Sequence, residues 1–211
     1  MEDPLRAAAD DPGLRLIETA LWDSAACPRL EGHMARLSAS AAALGWPCDT
    51  KAARAALRGE PGTSARLRLT LDREGALEIT RARLPPSPPE WRLGLASARL
   101  HSADPWLRHK TTRRAVYDAA RAALPEGVDE LLFLNERGEV CDGTITTLFF
   151  DRGEGLRTPP LACGLLAGVL RSELLAGGLC REEKLRADAL PQVRLWVGNA
   201  LRGLMPARWL G

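Results

Sequence analysis

The chain has 211 residues, 45% of them hydrophobic and 27% charged, with a formal net charge of +2. That balance supports a packed core, and arginines interleaved with acids rather than gathered in blocks argue against a nucleic-acid surface. Five scattered cysteines without a C-x-x-C pair suggest neither a disulfide framework nor a zinc site, and no run approaches the roughly 20 apolar residues of a membrane span, so a soluble protein of the reducing cytosol is expected.

The opening "MEDPLRAAADDPG" is acidic and helix-breaking and lacks the apolar centre of a signal peptide. "LRLIETALW" alternates as a strand does, and "LEGHMARLSASAAALGW" places Leu30, Met34, Leu37, Ala41 and Leu44 at helical spacing with Gly45 as the stop. "TKAARAALRG" reads as a short helix ended by Gly59. "ARLRLTLDREGALEITRARL" is a hairpin signal around "DREG", and the prolines of "LPPSPPEW" mark a candidate domain boundary. Beyond it, "WRLGLASAR" predicts a strand and "TTRRAVYDAARAAL" an amphipathic helix. "DELLFLNERGEVCDGTITTLFFD" predicts strand, turn, strand and strand. "GLLAGVLRSELLAGG" predicts a helix after Gly168 that ends at Gly177 and Gly178, and "VRLWVGNALRGLMPARWL" a closing strand, turn and extended piece. Frequent hairpins with loosely alternating helices favour α+β over a doubly wound parallel sheet.

Lys110, in "HKTTRRAVYD", is one of three lysines among 29 basic residues. An amine that must lose its proton and attack a carbonyl has to be lysine, because a guanidinium stays charged. Other candidates are each compatible with an ordinary structural role. Val169 and Leu170 open a helix after Gly168, where free N–H groups suit a phosphate but a glycine turn is the commoner meaning. Asp142 precedes Gly143 and reads either as a turn residue or as a carboxylate facing a cleft and holding a cation. Arg36 shares a helix face with His33 and reads either as a solvated residue or as a binding one. Asn199 suits a cap or turn, with ligand contact as the alternative. No His or Cys pair has metal-ligand spacing, and no dinucleotide fingerprint, P-loop or G-x-S-x-G is present.

The order of these features raises them. "LIETALW", "H-x-x-RL-x-x-SA", "HKTTRRAVYDAA", "LFLNERGEVCDGTITTLFF", "TPPLACGLLAGVLR" and "VGNALRG" follow one another over nearly the whole chain. In this the chain resembles the fold-type IV pyridoxal-phosphate enzymes, or class IV aminotransferases, and within them the aminodeoxychorismate lyase group, including the lyase-like domain fused to aminodeoxychorismate synthase component I.

The resemblance implies a two-domain α+β fold of the D-amino-acid aminotransferase type, with a smaller N-terminal domain (1–88) and a larger C-terminal one (89–211) that carries the Schiff-base lysine, and with cofactor in the cleft between them. It implies pyridoxal 5'-phosphate as cofactor, Lys110 as its attachment point and base, Asp142 opposite the pyridine nitrogen, and Arg36 with the Val169 and Leu170 amides on the phosphate. Thr146 and Asn199 would line the pocket. The implied activity is elimination of pyruvate from 4-amino-4-deoxychorismate to give 4-aminobenzoate, a folate precursor, with transfer of an amino group from branched-chain or D-amino acids, or a weakly active cofactor-binding remnant, as alternatives. A small-molecule substrate, a homodimer and functional coupling to an aminodeoxychorismate synthase follow as expected partners. The chain departs from the family in having Asp142 in place of glutamate, Thr147 in place of asparagine, and a short N-terminus.

Overall fold

The computed structural model describes Leu5 and residues 9–211. Most of the reading of the first residues as an acidic, leaderless segment concerns residues 1–4 and 6–8, which lie outside the described residues. Two compact units emerge: residues up to Pro86 together with His109–Arg113, and Ser87–Arg108 together with Arg114–Gly211.

In the first unit, β1 (Leu16–Asp23) pairs antiparallel with β2 (Ser64–Leu71), and β2 with β3 (Leu77–Ala82). The expected hairpin forms because Asp72 Oδ1 accepts from the Glu74 and Ala76 amides. Helix α1 (Leu30–Leu44) buries Met34, Leu37, Ala41 and Leu44, the stripe set by their spacing. It stops at Gly45, whose positive φ of 73° lets the Trp46 amide reach back to the Ala41 carbonyl at 2.9 Å. Helix α2 (Thr50–Ala56) starts where Asp49 accepts from the Lys51 and Ala52 amides, and it ends before the expected stop at Gly59.

The other edge of β1 is occupied by residues 109–113. Ile17 N–H donates to the Lys110 carbonyl at 2.8 Å, Leu16 and Thr111 form an antiparallel bridge, and Thr112 N–H donates to the Arg15 carbonyl. This corrects the expectation that the lysine belongs with residues 89–211. The segment returns to the first unit because β1 offers it an edge of unpaired backbone groups.

The second unit is built on an eight-stranded mixed sheet in the order β6-β5-β4-β11-β10-β7-β8-β9. These are β4 (Trp91–Leu100), β5 (Glu130–Asn135), β6 (Val140–Gly143), β7 (Thr147–Asp151), β8 (Arg157–Thr158), β9 (Arg181–Glu182), β10 (Arg194–Asn199) and β11 (Gly203–Trp209). The last extended piece of the sequence is thus β11, an interior strand that pairs antiparallel with β10 and parallel with β4. Leu93, Leu132, Leu148, Phe150, Leu195 and Val197 form the main core, each worth about 1.5–3 kcal/mol relative to exposure. Helix α3 (Ala115–Ala122) is shorter than expected, since Thr111–Arg113 belong to the other unit. Helix α4 (Val169–Ala176) runs from Gly168 to Gly177 as its glycines predict.

Candidate active site

β1 and α1 set out the residues of the first unit. Glu18 on β1 is 1% exposed. It accepts two hydrogen bonds from Arg36, at 2.8 Å from Nε and 2.6 Å from Nη2, and one at 2.6 Å from His33 Nδ1. Burial opposes the charge, but the Arg36 guanidinium and these bonds outweigh it and lower the Glu18 carboxyl from its ordinary 4.5 to about 2. Arg36 is therefore not the solvated polar side of its helix, because its head is tied to a buried anion. Lys110 lies on the adjacent segment, held through its backbone to β1. His109 Nδ1 lies 3.0 Å from Ser40 Oγ of α1 and fastens the segment on the other side. Burial lowers the His109 pKa, so the ring is neutral near neutrality and acts as a strut.

The second unit gathers the other five candidates around residues 142–147. Asp142, 7% exposed, accepts long hydrogen bonds from the Gly143 amide (3.2 Å, Oδ1) and the Leu166 amide (3.3 Å, Oδ2). The Thr146 carbonyl accepts from the Gly143 amide at 2.8 Å, and its hydroxyl donates to Glu130 Oε2 at 2.8 Å. Asn199 behaves as the turn residue its sequence suggests: Oδ1 accepts from the Leu201 and Arg202 amides, while Nδ2 donates to the Ile145 carbonyl at 3.2 Å. A Cβ on Gly168 would lie 3.0 Å from Thr147 Oγ1, so this threonine sits against the start of α4. A Cβ on Gly198 would meet Leu170 Cδ2 at 2.7 Å, so the glycine lets the helix start approach β10.

At that helix start Gly168 makes no side-chain cap bond, and Val169 and Leu170 are buried. Their amides precede any intrahelical acceptor and stand at the positive end of the dipole. Each unit by itself holds groups of the kind a phosphorylated pyridine aldehyde needs: the first an arginine oriented by a buried anion and a lysine on a braced segment, the second an uncapped helix start and a buried carboxylate. The residues present fit pyridoxal phosphate.

Besides Glu18, two residues escaped the sequence reading. Glu130, fully buried at the head of β5, accepts from the Thr144 amide (3.0 Å), the Ile145 amide (3.2 Å) and the Thr144 and Thr146 hydroxyls. One carboxylate therefore shapes the turn beside Asp142. Its signal was an acid opening the otherwise apolar "ELLFLN". Tyr117 of α3 packs edge-on to Phe133, with centroids 5.1 Å apart. Burial, and next the Asp142 charge, push its phenol upward, so it keeps its proton. All five cysteines are free thiols pushed up chiefly by burial, which leaves none poised as a nucleophile. Among the described residues no group of acids, histidines and cysteines could hold a metal, and no helix is long and apolar enough to cross a membrane.

The lowered Glu18 pKa has a stability consequence. A depressed carboxyl contributes in full above its unfolded value near 4.5, and the contribution is lost as pH falls through about 2. The gap in urea midpoint between the natural chain and Glu18→Gln is therefore expected to stay constant from neutrality down to about pH 5 and to close below it. A gap equally wide in acid would remove the ionised Glu18 from the account.

The fold is that of the fold-type IV pyridoxal-phosphate enzymes. The chain belongs to the class IV amino-transferase family, whose model matches residues 15–209. A fission-yeast protein (Schizosaccharomyces pombe) provisionally named aminodeoxychorismate lyase is 30% identical over 177 residues, or 80% of this chain and 76% of that one. A Mesorhizobium loti structure provisionally named an amino-acid aminotransferase is 44% identical with a TM-score of 0.86, covering 93% of this chain and 100% of its own. The 4-amino-4-deoxychorismate lyase of Pseudomonas aeruginosa is 25% identical with a TM-score of 0.78, covering 100% of this chain and 88% of its own.

Proposed function

We propose that the chain is a pyridoxal-phosphate-dependent 4-amino-4-deoxychorismate lyase, which eliminates pyruvate to leave 4-aminobenzoate for folate synthesis. The observation that carries the cofactor part is the buried Asp142 carboxylate together with the uncapped start of α4, both anchored to the turn at 142–147. The choice of reaction rests on the resemblance to the lyase group and on the lyase names of two relatives.

In this reading Arg36 and the Val169 and Leu170 amides bind the phosphate. Asp142 holds a proton at the pyridine nitrogen, Thr146 and Asn199 maintain the pocket wall, and Lys110 Nζ carries the cofactor and then takes the proton from the substrate carbon that bears the amine. Pyridoxal phosphate supplies, when bound, a ring that withdraws electrons from that carbon. Asp142 is one methylene shorter than glutamate, so a longer contact or a deeper ring is part of the proposal. So are a homodimer, a chorismate-aminating enzyme as functional partner, and a cytosolic location suited to five free thiols.

The second reading is amino-group transfer, favoured by the aminotransferase name of the relative at 44% identity. The test supplies 4-amino-4-deoxychorismate from a chorismate-aminating partner and assays the products. Stoichiometric pyruvate and 4-aminobenzoate are expected. Conversion of the bound cofactor to its amine form by amino acids, with keto acid and no pyruvate, would replace the lyase with a transaminase.

A further inference from the structure

Glu18 is costly for a strand of the first sheet. Taking a carboxylate out of water costs several kcal/mol even after relaxation, and an apolar residue of similar size often stabilises as well as a buried ion pair does. Stability alone therefore gives β1 little reason to hold an acid between Ile17 and Thr19. What the acid does accomplish is geometric. Its two oxygens take Nε and Nη2 of Arg36, which fixes the plane and direction of the guanidinium before any ligand arrives. Oε2 also takes His33 Nδ1, which must carry the proton because a carboxylate only accepts. His33 is fully buried, and its Nε2 has no hydrogen-bond partner among the described residues, so its polar contact is spent on Glu18. His33 and Arg36 stand one helical turn apart on α1 and converge on a single residue of β1.

We propose that Glu18 is a positioning residue for phosphate recognition, with His33 as its brace: it holds Arg36 in the orientation that grips the cofactor phosphate. This rests on the assignment of Arg36 to that phosphate. An arginine fixed in advance loses little side-chain freedom on binding, whereas an untethered one must be ordered by the ligand itself. The device therefore acts on the phosphate contribution to binding and leaves recognition of the ring and aldehyde alone.

The experiment measures, on the full chain freed of cofactor, dissociation constants for pyridoxal 5'-phosphate and for pyridoxal, which lacks the phosphate. Their ratio is the phosphate discrimination. Glu18→Gln is expected to lower the ratio roughly tenfold or more while pyridoxal affinity stays within about twofold. His33→Gln, which leaves the Glu18–Arg36 pair in place, is expected to lower it by a smaller factor. Should Glu18→Gln fail to fold, Glu18→Asp keeps the charge but withdraws it by a methylene and is expected to reduce the ratio about threefold. A ratio unchanged in the Glu18 variants but collapsed in Arg36→Ala overturns the positioning role. A ratio unchanged in Arg36→Ala overturns instead the assignment of Arg36 to the phosphate. Equal loss of affinity for both ligands in the Glu18 variants marks a merely structural residue and also overturns the proposal.

Discussion

Lys110→Arg is expected to abolish borohydride-dependent fixation of pyridoxal phosphate on the protein and to reduce turnover by on the order of a thousandfold or more. The substitution keeps the positive charge and length but removes an amine that can lose its proton. It also spares the supports of the segment. Among them are the backbone bonds from the Ile17 N–H to the Lys110 carbonyl and from the Thr112 N–H to the Arg15 carbonyl, the bridge between Thr111 and Leu16, and the His109–Ser40 contact. The variant should therefore melt within a few degrees of the natural chain, which separates lost chemistry from lost fold. Mass spectrometry after reduction is the check. A cofactor adduct of the same yield in Lys110→Arg would move the attachment to another lysine, Lys51 or Lys184.

Glu130→Ala is expected to cost about 3 kcal/mol or more of unfolding free energy, because it leaves several buried donors without an acceptor. Three backbone amides, those of Leu131, Thr144 and Ile145, and two hydroxyls lose their acceptor at once, and each orphaned buried donor is worth about 1–3 kcal/mol before the hydroxyls rotate to other partners. Glu130→Gln is expected to recover little, because half of the carboxylate becomes an amide donor facing donors. Urea denaturation reads the loss as a lowered midpoint, and a midpoint within experimental scatter of the natural chain would show the turn at 144–146 standing without Glu130. Asp142 lies directly beside that turn, so weaker cofactor binding should accompany the loss of stability.

Much of the architecture was legible along the chain. The stripe from Leu30 to Leu44 and its glycine stop became α1 with those bounds, and the alternation about "DREG" became the β2–β3 hairpin. These features depend on neighbours within a few residues, through side-chain periodicity and turn chemistry. Asn199 was readable as a turn residue for the same reason. The extent of α3 was not, because Thr111–Arg113 satisfy their backbone against β1, and nothing in their own composition announces a partner so far away in sequence.

The candidate site divides along the same line. Sequence by itself determined which residue types were available and in what order: a lysine where arginine is the habit, an acid before Gly143, a glycine before Val169. Tertiary structure alone decided which charges are buried and what they meet. Glu18 and Arg36 lie 18 positions apart, Glu130 and Thr146 16, and Ser40 and His109 69. An acid in a strand reads locally as a solvated residue, and only the side chains that close over it turn Glu18 into an anchor for Arg36 and Glu130 into the frame of the turn beside Asp142.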